Sequence, residues 1–175
     1  MKKIDKKKGI LFWITGLSGS GKTTIGKSIH NDIKKLYGPT IMISGDNVRK
    51  IFHLSGHKKE ERLKLTESYC RFAKYITDQK INIIFAVVGM FDKPRKWNKQ
   101  NIKNYVEIYI KSNLNKIIKL KKKKIYHKKN IKNLVGIDII PEFPKRPDIK
   151  IINSFNKNKK KISEKIISEI KKKIK

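Results

Sequence analysis

Apolar residues along this chain follow two rhythms. Four short stretches are apolar at nearly successive positions, Ile10-Leu11-Phe12-Trp13-Ile14, Thr40-Ile41-Met42-Ile43, Ile81 to Val88 and Tyr105 to Ile110, and a shorter mixed stretch, Asp148 to Asn153, follows. Each has the length and the bounding turns of a strand. Thr40 to Ile43 suits a strand buried on both faces, as parallel sheets require, and Ile81 to Val88, the most hydrophobic stretch, reads as a central strand.

Between these runs the spacing changes to three and four. Ile25, Ile29, Ile33 and Leu36 mark a helix that Tyr37-Gly38-Pro39 stops. Ser44 to Asn47 reads as a turn, with Asp46 or Asn47 capping a short helix through Ile51. A longer helix is expected over Glu61 to Asp78, with Leu63, Tyr69, Cys70, Ala73 and Ile76 facing inward. Another is expected over Lys93 to Asn104, with Pro94 in its first turn, and one from Leu114 to about Lys123. Residues 124–147, rich in lysine, glycine and proline with little periodicity, read as a lid. Ile162, Ile166, Ile167, Ile170 and Ile174 mark a C-terminal helix within residues 157–175. Its basic face suits a membrane surface as well, but a helix covering a sheet is the simpler reading.

Strands alternating with helices predict a single α/β domain over residues 1–175, three layers deep (α/β/α), around a five-stranded parallel sheet. Ligands of such sheets gather at the carboxyl ends of the strands. That edge carries Gly16 to Thr23, Ser44 to Arg49, and Gly89 to Arg95.

Composition changes this picture little. The net charge of +31, from 45 Lys plus Arg against 14 Asp plus Glu, raises nucleic acid as a partner. Arginine, however, stands only at 49, 62, 71, 95 and 146, and the lysines are scattered along the whole chain. That distribution resembles biased residue usage more than a patch built to read phosphates or bases, which favours the forked guanidinium. Nucleic acid is therefore not the expected partner. Cys70 is the only cysteine, so no intrachain disulfide forms, and its helical setting predicts a buried, inert thiol. No apolar run is long enough to span a membrane, and no apolar leader precedes the first strand. A soluble cytoplasmic protein is the expectation.

The chemistry concentrates after the first strand. Gly16-Leu17-Ser18-Gly19-Ser20-Gly21-Lys22-Thr23 fits GxxxxGK[ST], followed by Thr24. Glycines let the backbone turn tightly and aim successive N–H groups at phosphate oxygens. Lys22 reaches the β- and γ-phosphates, Thr23 places a hydroxyl where Mg²⁺ would sit, and the following helix adds its positive end. ATP with Mg²⁺ is the expected ligand. Asp46, after the second strand, faces that loop across the site, where a carboxylate can orient an acceptor hydroxyl, take its proton or hold Mg²⁺ through water. Capping alone would also explain Asp46. Arg49, one turn along, can hold an anionic group of the acceptor.

With Trp13 to Thr24, then Gly45-Asp46-Asn47-Val48-Arg49, then Gly136-Ile137-Asp138, Pro141-Glu142 and Pro144, the chain resembles adenylylsulfate kinases over roughly residues 9–152. The resemblance implies a P-loop NTPase fold and transfer of the ATP γ-phosphate to the 3′-hydroxyl of adenylylsulfate, with Mg²⁺, a homodimer and a place in sulfate assimilation. It makes Lys22 and Asp46 the catalytic residues. It gives Asp46, Arg49, Arg62 and Lys123 to the acceptor, and Thr23 to the metal.

Departures from the family pattern lie on the acceptor side. Ser44-Gly45-Asp46 stands for Asp-Gly-Asp, and Lys64 to Ser68 for Glu-Asn-Ile-Arg-Arg. His57 and Leu134 stand for the phenylalanines that stack on the acceptor adenine, and Leu120-Lys121 for Arg-Asp. Gly89 replaces a serine, so a phosphoserine at that place is excluded and direct in-line transfer is favoured. An alternative acceptor is another nucleotide conjugate, such as a cytidine diphosphate derivative used in surface-polysaccharide decoration. Two other classes stay open at this level: a basic nucleic-acid-binding P-loop protein and a scaffold that binds nucleotide without turnover.

Overall fold

The structure, a computed structural model, describes residues 3–56, 58–120, 133–156 and 158–174. The strands are β1 (Ile10–Thr15), β2 (Thr40–Ser44), β3 (Asn82–Val87), β4 (Asn104–Lys111) and β5 (Ile149–Ile152). The helices are α1 (Lys22–Tyr37), α2 (Gly45–Ile51), α3 (Lys59–Asp78), α4 (Asp92–Asn101), α5 (Leu114–Lys119) and α6 (Lys159–Lys173). All five strands are parallel, in the order β2-β3-β1-β4-β5. A parallel pair needs a crossover, and the helices between the strands supply it.

Alternation along β1 sorts the two faces. Ile10, Phe12 and Ile14 pack with Ile25, Ile29 and Ile33 of α1 and with Ile162, Ile166 and Ile170 of α6. Leu11 and Trp13 point the other way, into a cluster with Ile83, Phe85, Tyr105 and, from α3, Tyr69, Cys70 and Ala73. Every residue of β1 and β3 is buried, which explains why both strands are apolar apart from Thr15 and Asn82 at their ends. The apolar stripe of α6 is spent on the sheet and on α1, where the Ser28 and Ser163 hydroxyls meet at 2.7 Å.

Two expectations change. β2 lies at the sheet edge with one neighbour, and Ile41 is 37% exposed, so this strand is not buried on both faces. An apolar run cannot tell an edge strand from a central one. On α3, Tyr69, Cys70 and Ala73 are buried as expected, Leu63 and Ile76 are half-buried and pack at the edges of the apolar clusters, and Thr66 and Thr77 are buried beside them. The cap of α2 is neither Asp46 nor Asn47 but Ser44. Its hydroxyl accepts from the Asn47 N–H at 3.2 Å, while the Asn47 side chain accepts from the Ser44 N–H at 3.2 Å.

The last residues of the helix expected to reach Lys123, from residue 121 on, lie outside the described residues, as do His57 and residues 124–132 of the expected lid. Residues 133–147 pack in place: Leu134, Val135 and Ile139 are buried, and Glu142 N–H donates to the Met90 carbonyl at 2.9 Å. Cys70 is 1% exposed, and burial pushes its thiol up to about 12, which makes it the inert core residue expected.

Candidate active site

β1 stops at Thr15, and residues 16–21 loop back over its carboxyl end before α1 begins at Lys22. Gly21 caps that helix with φ +94°, a conformation that a side chain would strain. A Cβ there would also stand 2.9 Å from the Asn153 amide nitrogen. Lys22 is buried, and its ammonium donates to the Leu17 carbonyl at 2.7 Å, folded over the loop it serves. The Thr23 side chain opens to the same space.

That space is a cavity of about 720 Å³ lined by Gly19, Gly21, Lys22 and Thr23 on one side and by Asp46, Arg49 and Arg62 on another. Ser44 caps α2, and Asp46 stands in the first turn of that helix. Its side chain is 60% exposed and forms an ion pair with the Arg49 guanidinium. An exposed pair of this kind adds little stability and rearranges readily when a stronger anion arrives. The floor between them is Tyr69, whose hydroxyl donates to the Gly45 carbonyl at 3.3 Å. Burial raises its pKa; the Arg49 guanidinium opposes that shift and Asp46 reinforces it.

A further wall joins Gly89 and Phe91, at the exit of β3, to Leu134 and Val135. Gly89 has φ +38°, and a Cβ would lie 2.8 Å from a Val87 methyl and 3.3 Å from the Trp13 ring, so the serine of the family pattern cannot enter without movement. Leu134, 7% exposed, gives this wall an aliphatic side chain beside Phe91.

The structure thus brings the phosphate loop, Asp46, Arg49 and Arg62 around one cavity; Lys123 lies outside the described residues. It also adds residues that periodicity had given to the core or left unremarked. Tyr69 faces the core and the cavity together. Asn153, at the end of β5, donates to the Ser20 carbonyl at 2.9 Å and accepts from the Phe155 N–H at 3.1 Å, tying the loop after β5 to the phosphate loop. Only its place at a strand's carboxyl end could have flagged it. Among the described residues, no group of three or more His, Cys, Asp or Glu side chains stands ready to hold a metal ion. No helix among them is long and apolar enough to cross a membrane.

Residues 8–152 match the family model described as adenylylsulphate kinase. The chain is 35% identical over 164 residues to a cytidine diphosphoramidate kinase of Campylobacter jejuni, covering 91% of this chain and 95% of the relative. It is 31% identical over 174 residues to an adenylyl-sulfate kinase of Clostridium acetobutylicum, covering 97% and 86%. In fold it is similar to an adenylylsulfate kinase of Mycobacterium tuberculosis solved with AMPPNP and APS, with a TM-score of 0.83, 20% identity, and 94% and 98% of the two chains covered. With a phosphate loop at the end of β1 and Asp46 across the same cavity, this P-loop kinase fold belongs to the adenylylsulphate kinase family.

Proposed function

We propose that this chain transfers the γ-phosphate of ATP to the ribose 3′-hydroxyl of a small anionic nucleotide, with adenylylsulfate as the default acceptor. The observation that carries the reading is the shared cavity, with Lys22 and Thr23 on one side and Asp46, Arg49 and Arg62 on the other. Main-chain N–H groups of residues 16–21, the start of α1 and the Lys22 ammonium hold the triphosphate and offset charge that builds on it. Asp46 orients the acceptor hydroxyl and takes its proton as the oxygen attacks γ-phosphorus; the bond to the β-phosphate oxygen breaks and ADP leaves. Arg49, released from Asp46, and Arg62 hold the acceptor's anionic end.

A hydroxyl and a carboxylate facing one phosphate site are the oxygen donors a hard divalent cation takes, so Thr23, with Asp46 through water, would hold Mg²⁺. When bound, that ion supplies further charge neutralisation on the phosphates. The family resemblance further supports a homodimer, which sedimentation of the full chain would check.

A second acceptor is favoured by specific residues. Leu134 and Leu65, both on the cavity wall, replace an aromatic and an asparagine of the family pattern and weaken the case for an adenine. Similarity to the cytidine diphosphoramidate kinase points the same way. Turnover with adenylylsulfate and with a cytidine diphosphate conjugate, measured side by side, decides between them. ATP binding without transfer to either would overturn the kinase reading itself.

A further inference from the structure

Five arginines occur in this chain, and Arg95, its side chain 5% exposed, is buried on the side of the sheet away from the phosphate loop's helix. Burying a guanidinium is costly unless each of its faces is paired. Here Nη1 donates to the Gly89 carbonyl at 3.3 Å, and Nη2 donates to the Glu142 carbonyl at 2.7 Å and to the Asp92 carboxylate. Nε lies 3.1 Å from Glu107 Oε1. The exit of β3, the first turn of α4, residues 133–147 and β4 therefore meet at one planar group. Glu142 closes the junction from its side: its N–H donates to the Met90 carbonyl at 2.9 Å, and its carboxylate accepts from the Asp92 N–H at 2.5 Å.

The two segments so joined carry opposite parts of one cavity wall, Gly89 and Phe91 from the first and Leu134 and Val135 from the second. Phe91 and Val135 also share an apolar cluster with Met90 and Ile139. Apolar contact holds the segments together but does not fix their register, because it is not directional. A fork with donors at set angles does.

We propose that Arg95 is the positioning residue of the acceptor wall, locking residues 133–147 to the turn after β3 so that Phe91, Leu134 and Val135 meet the acceptor nucleotide as one rigid surface. This rests on the reading of that wall as the acceptor side. Leu17 of the phosphate loop packs in the same apolar cluster, but the hydrogen bonds and ion pairs of Arg95 go to Gly89, Asp92, Glu107 and Glu142, so its loss acts first on the acceptor wall.

The test is steady-state kinetics of Arg95→Met and Arg95→Lys against both substrates, with direct binding of an ATP analogue to each variant. The expected result is a KM for the acceptor raised about tenfold or more in Arg95→Met and less in Arg95→Lys, with KM and analogue affinity for ATP held within about twofold. Should Arg95→Met fail to fold, Arg95→Lys and Glu142→Ala, which removes the side-chain acceptor of the Asp92 N–H, carry the same selective shift. If acceptor and ATP constants rise together, or neither moves, Arg95 is only a structural staple and the assignment is overturned. Failure of the unaltered chain to phosphorylate any nucleotide would instead sink the proposed function, so the two failures are distinguishable.

Discussion

Glu107 provides a prediction whose size and sign both follow from the structure. Its side chain, on β4 opposite Trp13, is 13% exposed, and burial raises its carboxyl from 4.5 to about 7. The groups that face it disagree. From α4, Arg95 and Lys99 favour the carboxylate while Asp92 opposes it; Asp148, just before β5, opposes it too. Arg95 shares its charge with Asp92 and two carbonyls, so it cannot restore an ordinary carboxylate. Between 4.5 and about 7 the folded chain holds a proton that the unfolded chain has released. Stability from this group is therefore complete below 4.5 and lost as pH rises through about 7. At about 1.4 kcal/mol for each tenfold difference in proton affinity, the loss is about 3 kcal/mol.

Glu107→Gln keeps the shape and stays neutral at every pH, so the comparison isolates this one proton. Urea unfolding of both proteins at intervals from pH 4.5 to 7.5 should show the stability of the unaltered chain, relative to the variant, falling by about 3 kcal/mol across that range. Asp78 acts in the opposite sense, since hydrogen bonds from Lys74 and Lys8 lower its pKa, but it is present in both proteins and cancels. Parallel curves, or a relative gain with rising pH, would mean that Arg95 holds Glu107 ionised and that the balance drawn above is wrong.

Asp46→Asn should lower kcat by about a hundredfold to ten-thousandfold while leaving ATP affinity nearly unchanged, and stopped-time phosphate transfer with ATP titration measures both. Unchanged kinetics would reduce Asp46 to a partner of Arg49. Leu134→Phe, restoring a flat face to the wall, should shift preference toward adenylylsulfate over a cytidine conjugate, with about 1 kcal/mol or more from stacking; competition between the two acceptors reads it. Ile166→Ala, at a position with 0% exposure between α1 and the sheet, should cost about 2–5 kcal/mol in urea unfolding without changing the substrate constants of the folded enzyme.

Much of this protein was readable from residue order, because its signals are local. The rhythm of strands and helices, the phosphate loop and the Gly45 to Arg49 run each depend on neighbours a few positions apart. So did the thiol of Cys70 and the stripe of α6. Tertiary structure alone decided which strand lies at the edge, since Thr40 to Ser44 is apolar enough for the centre and only the order β2-β3-β1-β4-β5 gives it one neighbour. It decided that Ser44 rather than Asp46 caps α2, a choice among adjacent polar residues that hydrogen-bond geometry makes. It also brought Arg95 to Glu107 and Glu142, positions 12 and 47 residues apart in the chain, where pairing depends on how a helix, a strand and a loop pack. Short-range backbone preference is written in a chain's order; burial and charge pairing across segments arise only when the segments meet.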